Sequence, residues 1–305
     1  MHAASNPTES AALRTLLRSL GQIVLQPNAF TGACLVAAWL VYDLRLACAA
    51  LTGAIAANIG AVLAGYDEAD TLDGLHGFNG ALAGLAAFTF IADSATAGAV
   101  AILAGFATAW GLAPWSRWLR SRGLSVYSSP CLIVTWLWLP LVERGTAPLA
   151  DAHVWTFARI PDGLFAGLAQ TGFASGAVAG VLVLAGIAAS SWRLAAWALA
   201  GACMTSAVHL LLGASLVSFD AGLLGFNGAL TALALADAGW VAVLGGIALV
   251  MGLQHVTGHD GWPAMTAPFV AATWTVQALT RRRITPRGAK RRGMPTRRLG
   301  RAGRS

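Results

Sequence analysis

Ten apolar runs follow one another along this chain, at 29–42, 47–65, 74–92, 95–113 and 126–143, then at 176–190, 194–213, 222–236, 239–255 and 264–280. Asp43, Asp93, Asp220 and Asp237 fall at the ends of these runs. An α-helix satisfies its own backbone in lipid and needs about 20 apolar residues to cross it. Several runs are shorter, or broken by Gly and Pro, which fits tilted or partial spans. Only 11% of the 305 residues are charged, against about 25% in a soluble domain, so the chain lacks the polar surface to face water. The fold class is an all-α polytopic membrane protein.

The runs form two sets of five. GLHGFNGALAGLA (74–86) and GLLGFNGALTALA (222–234) agree at ten of thirteen positions and lie 148 residues apart. At the same offset, Gln22 with Gly32 matches Gln170 with Gly180. Near each set's end, Ser128, Pro130 and Trp136 match Thr266, Pro268 and Trp274, now 138 residues apart. Landmarks kept in one order imply a tandem duplication of a unit of roughly 140 residues. Ahead of each set lies a weaker stretch, 12–26 and 161–175, too short to cross and suited to a re-entrant half-helix. Five spans per unit, an odd number, would turn the second copy upside down, as in inverted-repeat transporters. The expected organisation is a tail at 1–11, a first repeat at 12–150, an inverted second repeat at 151–280, and a basic tail at 281–305.

That last tail holds 11 of the 20 Lys and Arg residues and no acid, leaving the rest at a net charge of −4. After an apolar body, such a tail is read as a cytoplasmic marker touching anionic headgroups, not as a nucleic-acid site. With both termini cytoplasmic, 17 basic residues fall inside and three (Arg45, Arg144, Arg159) outside, as the positive-inside rule asks. The N-terminus lacks the continuous apolar core of a signal peptide. Cys34, Cys48, Cys131 and Cys203 have no ligand spacing and read as small buried apolar residues.

The few polar residues within the apolar units each need an account. Gln22 and Gln170 either satisfy backbone groups at a helix end or face a path between the repeats as a symmetric pair. Pro130 and Pro268 have no N–H, so the carbonyls of Val126 and Ala264 are expected to be released toward protein, water or a permeant. Local back-bonding by Ser128 and Thr266 is the competing reading. Phe78 with Leu82, and Phe226 with Leu230, share a helix face, which alone signifies packing. Asn79 and Asn227 read as structural, bonding between close-packed helices. His76 is matched by Leu224 in the other copy and His209 is solitary, so no paired histidine path is expected. No carboxylate pair, metal-spaced cluster or Ser/His/Asp set lies in the apolar runs. This predicts no enzyme, cofactor or metal, and an uncoupled route for a neutral polar solute.

The duplicated G-F-N-x-x-L phrase, the Gln ten residues before a Gly in each copy, and the [ST]-x-P near each end together resemble the urea transporter family over about residues 15–280. The resemblance implies a homotrimer in the plasma (bacterial inner) membrane, each protomer with its own pore between the repeats. It implies urea as the permeant, held edge-on by oxygens between apolar walls. Carried over, Gln22 and Gln170 would be edge acceptors. Phe78, Leu82, Phe226, Leu230 and Phe173 would be walls, and Ser128 and Thr266 would supply central hydroxyls. Leu25 stands where the mate of Phe173 is aromatic in the family, and Ser128 where Thr is usual. Together they predict a looser first-repeat side that admits methylurea or short amides. The alternatives are a channel for short amides, ammonia or water, or a structural membrane subunit.

Overall fold

The computed structural model describes residues 7–142, 159–258 and 263–284. The first half of the chain runs α1 (Pro7–Gly21), a 3-10 turn (Gln22–Val24), α2 (Ala29–Tyr42), α3 (Leu44–Leu63), α4 (Glu68–Leu72), α5 (Gly77–Phe90) and α6 (Ser94–Phe106). A π turn (Ala107–Gly111), α7 (Ala113–Ser121) and α8 (Ser129–Trp138) follow. The second half runs α9 (Ile160–Ala169), a 3-10 turn (Gln170–Gly172), α10 (Ala177–Ser190), α11 (Trp192–Leu211), α12 (Leu216–Asp220), α13 (Phe226–Leu235), α14 (Trp240–Thr257) and α15 (Ala267–Ile284). No strand element occurs among the described residues, and the chain is an all-α polytopic membrane protein.

The acids at the run ends have local work there. Asp43 and Asp93 cap α3 and α6, accepting from the N–H of Arg45 at 2.8 Å and of Thr96 at 2.7 Å. A carboxylate at a helix start satisfies orphan donors and meets the positive end of the dipole. Asp220 and Asp237 pair instead with Arg159 and Arg193.

Four described segments are long and apolar enough to cross a membrane: α3, Ser94–Gly111, α11 and α14. The two weaker stretches precede sharp bends, 76° between α1 and α2 and 65° between α9 and α10. Helices α5, α8 and α13 are shorter than their apolar runs suggested. At 14 residues, α5 spans only about 21 Å, and Gly77 through Ala87 are all buried. Such a helix is covered by protein, so its length need not match the bilayer.

Glycines permit that burial. A Cβ on Gly53 of α3 would stand 2.0 Å from the Gly80 carbonyl oxygen in α5, and one on Gly201 of α11 would stand 2.4 Å from that of Gly228 in α13. Only hydrogen at these positions lets the backbones approach so closely. Gly32 and Gly180, ten residues after each Gln, face the carbonyls of Leu17 and Phe165, each 1.9 Å from an added Cβ.

The two halves also hold each other. α2 packs on α10, with Thr31 Oγ1 donating to the Gly186 carbonyl and Trp39 Nε1 to that of Gly172, both at 2.7 Å. Trp136 Nε1 donates to the Pro263 carbonyl at 3.1 Å, and Trp274 Nε1 to that of Ser125 at 2.7 Å. Both members of each Trp bond are related by the 138-residue offset.

Several expectations are corrected. α1 starts at Pro7, where proline suits the first helical position, so helix extends into the expected 1–11 tail. α15 continues to Ile284, past the expected edge of the basic tail, whose residues 285–305 lie outside the described ones. Pro130 and Pro268 open α8 and α15 and do not interrupt them. The carbonyls expected to be released are engaged: Val126 accepts from the Ser129 hydroxyl at 2.7 Å and Ala264 from the Ala267 N–H at 2.9 Å. Cys48 is exposed, because it lies on the outer face of α3, while Cys131 is buried and Cys34 and Cys203 are half-buried.

Candidate permeation site

Each Gln that opens a repeat sits on a helix stop. Leu25 and Phe173 take left-handed backbone, φ 60° and 62°, and return their N–H groups to the carbonyls of Gln22 and Gln170 at 2.9 and 3.1 Å. This is a left-handed C-cap made without glycine. In the first half Asn28 then caps α2, accepting from Phe30 at 2.8 Å, whereas in the second Gly176 precedes α10 without a side-chain cap. The two 3-10 turns pack against each other, the first also on α5 and the second on α13.

A similar pair of turns precedes α8 and α15. Tyr127 and Met265 have φ of 45° and 47°, and an Asn from a repeated phrase grips each. Asn79 Nδ2 donates to the Tyr127 carbonyl at 3.0 Å, and its Oδ1 accepts from the Cys131 N–H at 3.1 Å. Asn227 Nδ2 donates to the Met265 carbonyl at 3.2 Å, while its buried Oδ1 has no partner among the described residues. These turns bring Ser128 and Thr266 together, with Oγ and Oγ1 2.7 Å apart.

Around that hydroxyl pair is a narrow space of about 10 Å³, room for about one water. Gln22, Leu25, Phe78, Leu82, Leu230, Ser128 and Thr266 line it, joined by Ile23, Thr171, Tyr127 and Phe269. None of these side chains carries a charge near pH 7. Gln22, Leu25, Phe78 and Tyr127 also line a cavity of about 550 Å³, with Asn79 and Pro130 on its wall. The Gln22 amide nitrogen donates to the Asp73 carbonyl at 3.3 Å. Its oxygen accepts from no described donor.

Five expected site residues line neither space. Gln170 and Phe226 open the second 3-10 turn and α13, which are in contact, and Phe173 packs at the edge of the central core. Asn227 and Pro268 are buried outside both spaces. Adjoining segments 143–158 and 259–262 lie outside the described residues.

The wide cavity adds residues that the sequence did not assign to the site: Tyr66, Asp67, Asp70, His76, Arg117 and Arg120. Arg120 lies 3.6 Å from Asp70, and the rings of His76 and Tyr66 meet at a 37° tilt with centroids 4.9 Å apart. His76 lies in the turn before α5, and burial holds its imidazole below the usual range; Asp70 opposes this and Arg120 adds to it. Neutral imidazole is therefore favoured near pH 7. A signal existed, because the offset between landmarks drops from 148 to 138 across this region. α7, amphipathic and carrying both arginines, lies in the segment where ten extra residues enter.

Fold and site together define an integral membrane protein with an uncharged, buried polar site where its two halves meet. A family model for the urea transporter matches residues 13–281. The chain belongs to the urea transporter family, a family of membrane transporters, and that membership implies transport of urea across the membrane. No curated protein matches the chain in sequence comparison.

Proposed function

We propose that the chain conducts urea passively, as a channel, along a path from the 550 Å³ cavity past the Ser128–Thr266 pair to the region of Gln170 and Phe226. The observation that carries this reading is the hydroxyl pair itself. It is buried and uncharged, contributed one hydroxyl from each half, and walled by Leu82, Leu230 and Phe269. Urea presents four N–H donors and one carbonyl acceptor on a flat frame. Apolar side chains would cover its faces, and the oxygens of Gln22, Gln170, Ser128 and Thr266 would receive its edge. Ser128 and Thr266 would exchange their mutual hydrogen bond for bonds to the solute, so the net change on entry is small. A hydrated ion would find no replacement for its shell.

The same reading takes residues 12–150 and 151–280 as inverted repeats, supported by the paired turns, paired asparagines and paired Trp bonds. It places both termini in the cytoplasm of a bacterial-type inner membrane, with the basic tail against anionic headgroups, in a homotrimer. Stopped-flow light scattering on proteoliposomes tests it. Urea permeability should stand well above that of protein-free vesicles, without matching gains for ammonia or water. Gln22→Leu and Gln170→Leu should each lower it by about tenfold, the loss of one to two hydrogen bonds, while size-exclusion profiles persist. A urea signal no higher than that of empty vesicles overturns the reading, and unchanged flux in both Gln variants overturns the path.

A further inference from the structure

The described residues include four non-glycine residues with positive φ: Leu25, Tyr127, Phe173 and Met265. A left-handed backbone costs about 1–2 kcal/mol for an L-residue with a Cβ, so four such positions in related pairs are a built feature. Leu25 pairs with Phe173 at the 148 offset, and Tyr127 with Met265 at the 138 offset. Each half therefore holds one aromatic and one aliphatic residue on these turns, in interchanged places.

We propose that Tyr127 is a specificity-determining wall that supplies, from the second turn, the aromatic bulk missing at Leu25, and that Gln277 positions it. This rests on the channel reading above. Tyr127 is one of the four residues lining both the wide cavity and the narrow space, beside Gln22, Leu25 and Phe78. Its backbone is fixed by Asn79. Its ring meets Phe269 edge-on, with centroids 5.1 Å apart at 66°. Its hydroxyl accepts from Gln277 Nε2 at 2.7 Å, a bond reaching from α15 in the other half. The related positions carry Met265 and Leu139, neither of which can make that bond. The polar latch belongs to this side alone, where the wall opposite a Leu must be held in place. The first half is therefore not loosened by Leu25; Tyr127 closes it against solutes wider than urea.

The test compares methylurea with urea permeability in phosphatidylethanolamine–phosphatidylglycerol proteoliposomes. Tyr127→Met should raise the methylurea-to-urea ratio by about tenfold, the lower end of what one methylene discriminates. Adding Leu25→Phe to Tyr127→Met should bring the ratio back. Gln277→Leu should raise the ratio severalfold with Tyr127 present but not in a Tyr127→Phe background, because no latch remains to be lost. A merely structural Gln277 would act equally in both backgrounds, which overturns its positioning role. An unchanged ratio in Tyr127→Met protein that still carries urea overturns the wall. If that variant does not fold, the Gln277 comparison decides. Absence of urea flux in the unsubstituted protein would sink the channel reading and this proposal with it, whereas an unchanged ratio sinks this proposal alone.

Discussion

Asn79 and Asn227 occupy the same place in two copies of one phrase, yet Asn79 engages both ends of its amide and Asn227 only one. The same divergence runs outward from them. The first half surrounds its turn with α7 and the charged cavity, and places Tyr127 on the turn; the second places Met265 there. Backbone positions that must approach closely or turn left-handed recur in both halves, whereas the side chains carried on the turns differ. The matched backbone positions thus keep one frame in both halves, while the side chains on that frame differ.

The largest effect should come from the frame. Gly53→Ala and Gly201→Ala each force a methyl against a facing carbonyl oxygen, and each should lower stability by about 3 kcal/mol in thermal unfolding in detergent. A small loss at Gly201 alone would show that the halves differ in packing as well as in lining. Asn79→Ala should follow at about 2–3 kcal/mol, with Asn227→Ala nearer 1 kcal/mol, in proportion to the bonds each makes. Equal losses would erase the contrast drawn above. Trp136→Phe and Trp274→Phe should each cost about 1 kcal/mol, and unequal values would mean the two halves are clasped unevenly. Least of all, Arg120→Gln should change stability by no more than about 0.5 kcal/mol, since both partners of its ion pair are exposed and solvent-screened.

Much of the fold was legible because the membrane restricts the possibilities. The apolar runs give the helices, and the Gly-rich phrase and the Gln-to-Gly spacing mark positions where a Cβ would clash. The prolines were misplaced for a definite reason. Sequence shows that Pro130 and Pro268 interrupt an apolar run, but the start of α8 and α15 depends on the left-handed turns at Tyr127 and Met265, which residue type does not announce. The wide cavity was missed because Asp67 and Asp70 fall between two apolar runs, and only packing brings them near Arg117, Arg120 and His76.

The sequence by itself determined that the chain is a helical membrane protein that carries one phrase twice, with Asp43, Asp93, Asp220 and Asp237 at the ends of its apolar runs and amides and hydroxyls among them. Those features follow from hydrocarbon's intolerance of unpaired polarity and from spacing along one chain. The tertiary structure decided what meets what. It set Ser128 against Thr266 across 138 residues and Tyr127 against Gln277 across 150. It also left Asn227 half-bonded where Asn79 is satisfied. Contacts between distant segments depend on how helices cross and turn in space, and neither the period nor the identity of the residues in one strip of sequence encodes that.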